Sequence, residues 1–378
     1  MKIVYTLLLI FIGTFVSAQN YFPPKGNWEE KSPKSQKVNE ASISEAIEFA
    51  KTNEYSGSRD LRVAIAAGFS REPYHNIVGP TKKRGGPAGL IIKNGYIIAK
   101  WGDISQVDMT FSVTKSYLST IAGLAVDDQL IDVTDKVVDY VWDGTFAGAH
   151  NSVITWEHLL NQSSDWSGRL FGQPDWGDRP SRDGALDDWK YRELKEPGTS
   201  FKYNDVRVNV LAYSLLQVYR KPLPQILKKR IMDPIGASTT WRWYGYETSW
   251  VNVDGTKVQS VSGGGHSGGG VFISAEDHAR FGLLFLNEGN WNGTQLISKE
   301  WINAVQKSSL ANVSYGYMWW LNRGNRKWEG LSESIYYAAG FGGNYIVIDK
   351  ENNLVVVTRW LEPSKIGEFM QLVTKAVK

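Results

Sequence analysis

Phe111-Ser112-Val113-Thr114-Lys115-Ser116 holds the only Ser-x-x-Lys of this 378-residue chain. Residues compatible with a buried helix follow from Tyr117 to Val126. Three residues are nearly one helical turn, so a helix starting near Ser112 carries the hydroxyl and the ammonium on one face. A serine hydroxyl is a weak nucleophile at neutral pH. A lysine beside it, with its pKa lowered by burial or by a second cation, accepts the hydroxyl proton. The helix N-terminus adds a backbone N–H and a positive dipole end where an oxyanion would form.

The N-terminus reads as an export signal. One early charge at Lys2, an apolar run from Ile3 to Val16 and the ending Val16-Ser17-Ala18 place a cleavage after Ala18, with 1–18 as signal peptide. The run is short for a membrane span, and no Cys follows it to carry a lipid. The expectation is a periplasmic or extracellular protein with no stable membrane anchor after signal cleavage. The chain has no Cys, so an exported form holds together by packing alone. A formal charge of +3 argues against a nucleic-acid partner.

Residues 19–41 read as an N-terminal arm and 42–378 as the folded domain. Ser42 to Thr52 has helical periodicity, with Ser42 or Ser44 as cap. Asn94-Gly95 between Leu90–Lys93 and Tyr96–Ala99 predicts a hairpin, and Tyr345–Ile348 with Leu354–Val357 a second. The spans 211–218, 223–232, 275–288 and 365–378 read as helices. The expected architecture is an α/β lobe built from both ends of the chain, with a mainly helical lobe at roughly 120–270 inserted between.

A serine–lysine hydrolase needs a third group to pass the proton on. Phe201-Lys202-Tyr203-Asn204-Asp205 supplies Tyr203 on a loop edge ahead of a helix. Ala338-Ala339-Gly340-Phe341-Gly342-Gly343 supplies a strand edge whose glycines admit a substrate close to the backbone. The segment 163–198 carries Trp166, Trp176, Asp178 and Arg179 and is a candidate wall of the site. Gly265-His266-Ser267-Gly268-Gly269 fits a nucleophile elbow, but glycines precede it, a β-like Val271-Phe272-Ile273 follows, and the one later His, His278, leaves little room for the triad acid. The five His form no metal motif, and no phosphate-binding glycine loop stands between a strand and a helix, so no metal and no cofactor are expected.

Taken in order, Ser112-Val113-Thr114-Lys115, Ile154-Thr155-Trp156-Glu157-His158-Leu159-Leu160, Tyr203-Asn204-Asp205 and the Gly268–Gly282 stretch resemble the serine β-lactamase-related hydrolases. The nearest type is the class C β-lactamase, penicillin-recognising esterase and nylon-oligomer hydrolase group. The resemblance implies an α+β two-lobe fold, with an antiparallel sheet flanked by helices and an inserted helical lobe. It implies acylation of Ser112, proton transfer shared by Lys115 and Tyr203, and an oxyanion hole at Ser112 and Phe341 beside Gly340. His266 and Trp166 are then structural or substrate-facing.

Two departures stand out. Asp205 replaces the family's amide donor, and an ionised carboxylate only accepts hydrogen bonds. Ala338-Ala339-Gly340 replaces Lys-Thr-Gly and removes the cation that holds a β-lactam carboxylate. The expected substrate is therefore a small molecule or peptide with an ester or amide bond and a neutral or cationic group near Asp205. A β-lactam or cell-wall-peptide receptor that acylates without turnover, or a D-amino-acid peptidase, are the alternatives.

Overall fold

The computed structural model describes residues 21–324 and 328–377, so the expected signal peptide lies outside the described residues. The strands that position the site are, in chain order, β1 (Ala88–Lys93), β2 (Tyr96–Trp101), β3 (Asp108–Met109), β4 (Arg242–Val253), β5 (Thr256–Val261), β6 (Gly270–Ile273), β7 (Tyr315–Gly316), β8 (Trp319–Leu321), β9 (Tyr336–Gly340), β10 (Asn344–Asp349) and β11 (Leu354–Arg359). The corresponding helices are α1 (Glu40–Thr52), α2 (Leu61–Phe69), α3 (Thr114–Asp127), α4 (Trp156–Leu160), α5 (Asp205–Tyr219), α6 (Leu223–Leu227), α7 (Ala275–Leu286) and α8 (Ile366–Val377).

Asn94 and Gly95 both take positive φ (54° and 88°), the geometry a two-residue hairpin needs, and join β1 to β2. β10 and β11 form the second expected hairpin. The two hairpins meet because β1 pairs with β11, Leu90 opposite Val357. The resulting antiparallel sheet runs β7-β8-β9-β10-β11-β1-β2.

β10 and β11 are buried along their whole length, so both faces of the sheet are covered. Ile346, Ile348, Val355 and Val357 face the larger core, which includes α3 and α7. Tyr345, Val347, Leu354 and Val356 face the core shared with α1 and α8. Side chains alternate across a strand, so one run of apolar residues serves both layers. In α8, Ile366, Phe369, Met370 and Val373 turn inward at helical spacing.

Three expectations change in detail. α1 starts at Glu40 with Asn39 as its cap, its side chain accepting from the Ser42 N–H at 3.0 Å, so neither Ser42 nor Ser44 caps it. α2 falls in a span with no predicted element; Asp60 caps it through the Arg62 N–H. The middle of the chain holds the expected α5 and α6, but also α4 and the long β4–β5 hairpin, which joins β3 and β6 in a second sheet ordered β3-β6-β4-β5. A register shift between Gly245 and Trp250 breaks the alternation along β4, so the sequence pattern there shows no clean period of two.

The α8 seam ties the two ends of the chain to the sheet. Phe369 is fully buried and packs edge-on against Trp101. Phe369→Ala is expected to cost about 3–5 kcal/mol, read as a lower midpoint in urea unfolding.

Candidate active site

The turn that carries Ser112 is pinned to β6 on both sides. The Thr110 N–H donates to the Val271 carbonyl at 2.9 Å, and the Val271 N–H donates to Thr114 Oγ1 at 3.0 Å. Between them Phe111 sits at φ 51°, unusual for a bulky residue, with its ring buried against Phe341. Such strain persists only where the surroundings over-determine it.

Those surroundings include a buried polar cluster behind the turn. Arg359 donates from Nη2 to the Met109 carbonyl at 3.1 Å, and from Nη1 to Thr110 Oγ1 at 3.2 Å and His278 Nε2 at 2.8 Å. A guanidinium only donates, so His278 Nε2 accepts and its Nδ1 carries the proton facing the Tyr117 hydroxyl at 2.8 Å. Burial and the Arg359 charge push the His278 pKa well below the usual value, which keeps the ring neutral. His278 therefore positions the turn and does not face the cleft.

Lys115 lies one turn beyond Ser112 and donates from Nζ to Ser112 Oγ at 2.9 Å. It also donates to Asp205 Oδ1 at 2.7 Å, with both side chains buried. Burial alone pulls the ammonium pKa down, but the Asp205 carboxylate and the Tyr203 oxygen outweigh it, so the net shift is upward. This reverses the expectation of a lysine with a lowered pKa: Asp205 holds Lys115 as a cation.

Asp205 opens α5, with Asn204 as the cap. Its second carboxylate oxygen accepts from Arg179 Nη1 at 2.7 Å, and its backbone N–H donates to Asp178. Burial pushes its carboxyl pKa up, but Lys115 and Arg179 together hold it well below the usual range. The sequence expectation of a substrate-facing acid is thus corrected. Asp205 is 2% exposed and spends both oxygens on protein cations, so no part of it meets a ligand.

Tyr203 stands just before that cap, its ring stacked on Trp320 with centroids 5.7 Å apart. The Lys115 ammonium lies 4.5 Å and the Arg179 guanidinium 5.1 Å from the ring centroid. Gly340, at the end of β9, closes the opposite side: a Cβ there would lie 2.2 Å from the Thr110 carbonyl oxygen and 3.3 Å from the Ser112 nitrogen. Only glycine permits that approach. Ser112, Tyr203, Gly340 and Phe341 line one open cleft of about 470 Å³, with Phe69, Arg179, Trp320 and Tyr337.

His266 lies one layer behind the cleft. Its Nδ1 accepts from Arg179 Nη2 at 3.0 Å and its Nε2 faces Glu72 Oε2 at 2.6 Å. Glu72, Asp178 and His266 are the described residues close enough to share a metal ion. Arg179 Nη1 already occupies Asp178 Oδ1 at 2.6 Å, so the group is built as an ion-pair network around a guanidinium. Trp166 is not brought to the site. Its ring is buried in the core, its indole N–H donates to the Thr145 carbonyl at 2.8 Å, and its own carbonyl accepts from Arg207. The expectation of a cleft-lining tryptophan fails because packing against the base of α5 takes the ring inward. The elbow-like stretch 265–269 runs into β6 with no helix after it.

Sequence reasoning missed Phe69, Trp320 and Tyr337 as cleft residues and named Arg179 only among the charges of its loop. The Asp60 cap was the one local signal for α2, which delivers Phe69.

A turn-borne serine bonded to a lysine one helical turn away, facing a tyrosine across a cleft, defines a hydrolase of the serine β-lactamase fold. Residues 106–359 match the family described as Beta-lactamase, and the chain belongs to it. It is 24% identical over 310 residues to the 6-aminohexanoate-dimer hydrolase of Paenarthrobacter ureafaciens, covering 73% of each chain. Among solved structures, it resembles EstCE1, a hydrolase with promiscuous acyltransferase activity, at TM-score 0.59 and 16% identity, over 89% of this chain and 98% of that one. A family VIII carboxylesterase matches at TM-score 0.55 and 17% identity, over 84% and 96% of the two chains.

The ion pair makes a prediction with a sign. The depressed Asp205 pKa contributes stability that is complete above the unfolded aspartate value of about 4 and is lost as pH falls below it. Asp205→Asn leaves the buried Lys115 ammonium uncompensated, while Arg179 keeps Asp178, and is expected to cost about 3–5 kcal/mol at neutral pH. The gap between wild type and variant should narrow as unfolding is measured at progressively lower pH below about 4.

Proposed function

We propose that the protein is an exported serine hydrolase that cleaves an ester or amide bond through an acyl-enzyme on Ser112. The observation that carries this reading is the 2.9 Å contact between Lys115 Nζ and Ser112 Oγ at the mouth of an open cleft. Ser112 Oγ attacks the substrate carbonyl carbon, and its proton passes to the Lys115–Tyr203 pair. The proton transfer is assigned to the pair jointly, with Lys115 in direct contact with the Ser112 hydroxyl. The oxyanion is met by the backbone N–H groups of Ser112 and Phe341. The leaving alcohol or amine takes the proton as its bond to the carbonyl breaks. Water then attacks the ester on Ser112 and releases the acid.

β9 offers no lysine at Ala338-Ala339-Gly340, so a β-lactam carboxylate has no cation on that side. Ester and amide hydrolysis fit the cleft better than penicillin turnover. The names of the similar proteins, a 6-aminohexanoate-dimer hydrolase and a carboxylesterase, are consistent with that choice.

An activated aryl ester should give an acyl adduct on Ser112, seen by intact mass and lost within seconds. Ser112→Ala should lower kcat/KM by at least about a thousandfold. Undiminished turnover by Ser112→Ala sinks the proposal, and an adduct stable for hours would make the protein a receptor. For export, expression in a Gram-negative host should place in the periplasm a chain that begins after Ala18; a full-length cytoplasmic product would refute the leader.

A further inference from the structure

A second cavity of about 460 Å³ adjoins the cleft beside Ser112 and shares Phe69 and Arg179 with it. Four charged residues line that second space: Arg71, Arg179, Arg182 and Glu72. Glu72 is buried and commits its carboxylate to His266 at 2.6 Å. Arg71 and Arg182 are exposed, and neither makes an ion pair with a described residue. In the first space Arg179 is the one charged lining residue; the rest are aromatic, apolar or hydroxyl-bearing.

Arg179 itself has capacity left. Of its five N–H groups, Nη1 serves Asp178 and Asp205 and Nη2 serves His266, while no described acceptor meets Nε or the remaining Nη2 hydrogen. Those two N–H groups are charged donors left over for a ligand oxygen. Its side chain is 29% exposed, and three acceptors hold it in place.

We propose that this extension is an anion subsite, and that the substrate carries a carboxylate at the end that runs past Phe69. The inference rests on the serine-hydrolase reading above and specifies its substrate class. It reverses the sign expected from Asp205 in the sequence: the buried acid is spent, and the cation it anchors is the charge that faces the ligand. Arg179 grips the carboxylate, while Arg71 and Arg182 add attraction that salt screens.

Two matched series of aryl or alkyl esters test it, each pairing a neutral chain with one of equal length ending in a carboxylate. One series places the carboxylate on the acyl side and the other on the alcohol side. In one of the two, at low salt, kcat/KM should favour the anionic member at least tenfold, mainly through KM, and 0.5 M salt should erode the preference. The Arg71→Gln/Arg182→Gln double variant should lower the ratio and flatten its salt dependence, leaving the part that Arg179 supplies, and Arg182→Glu should lower it as well. Adduct formation on Ser112 by both members without an anionic preference in either series overturns the subsite alone. A ratio and salt dependence unchanged in the double variant overturn the part assigned to those two arginines. Absence of any Ser112 adduct with either member overturns the serine-hydrolase reading, and the subsite falls with it.

Discussion

One buried carboxylate holds this site together. Asp205 lies between Lys115 and Arg179 and accepts from both at 2.7 Å. Without it, burial would drive the Lys115 ammonium towards neutrality, and the guanidinium would lose one of its three acceptors. The pair also crosses from α3 to α5, so the spacing of nucleophile and tyrosine depends on a contact between two helices far apart in sequence. Paired charges of this kind cost desolvation and add little net stability, but removing one partner leaves the other stranded. The arrangement therefore resists piecemeal change.

A second buried cluster works from behind. Arg359, at the end of β11, reaches Met109, Thr110 and His278, while Val271 clasps Thr110 and Thr114 from β6. Ser112 is thus set by both sheets at once. The left-handed Phe111 marks where those two sets of constraints meet. Ser112 is placed by clamps on its turn and Lys115 by an ion pair, so the two side chains are oriented by independent means.

The sheet was legible because its signals are local. Asn94-Gly95 announces a turn whichever fold surrounds it, and the apolar spacing of 366–377 reads as a one-faced helix. The order of Ser112, Lys115, Tyr203 and Gly340 along the chain was visible too, since each sits in a short motif. What the sequence hid is tertiary. Nothing in Tyr203-Asn204-Asp205 says that Asp205 turns inward as the first residue of α5 while Tyr203 turns to the cleft. Trp166 and Arg179 share one aromatic, charge-rich loop, and composition does not tell which is packed and which faces the ligand. The β4–β5 hairpin escaped because a bulge breaks its alternation. Phe69 escaped because α2 is a short helix between loops.

The position of β1 carries a consequence for how the molecule is made. It sits inside the sheet, between β2 and β11, and α1 packs on α8 with the Asn39 N–H donating to the Ala376 carbonyl at 2.9 Å. The β1–β2 hairpin therefore waits for a strand far along the chain, with Ala88 opposite Arg359. Until then its apolar edge has no native neighbour, and the loop that must close around it spans most of the chain. Assembly of the sheet is a non-local event, and until β11 pairs with β1 that edge is open to pairing elsewhere.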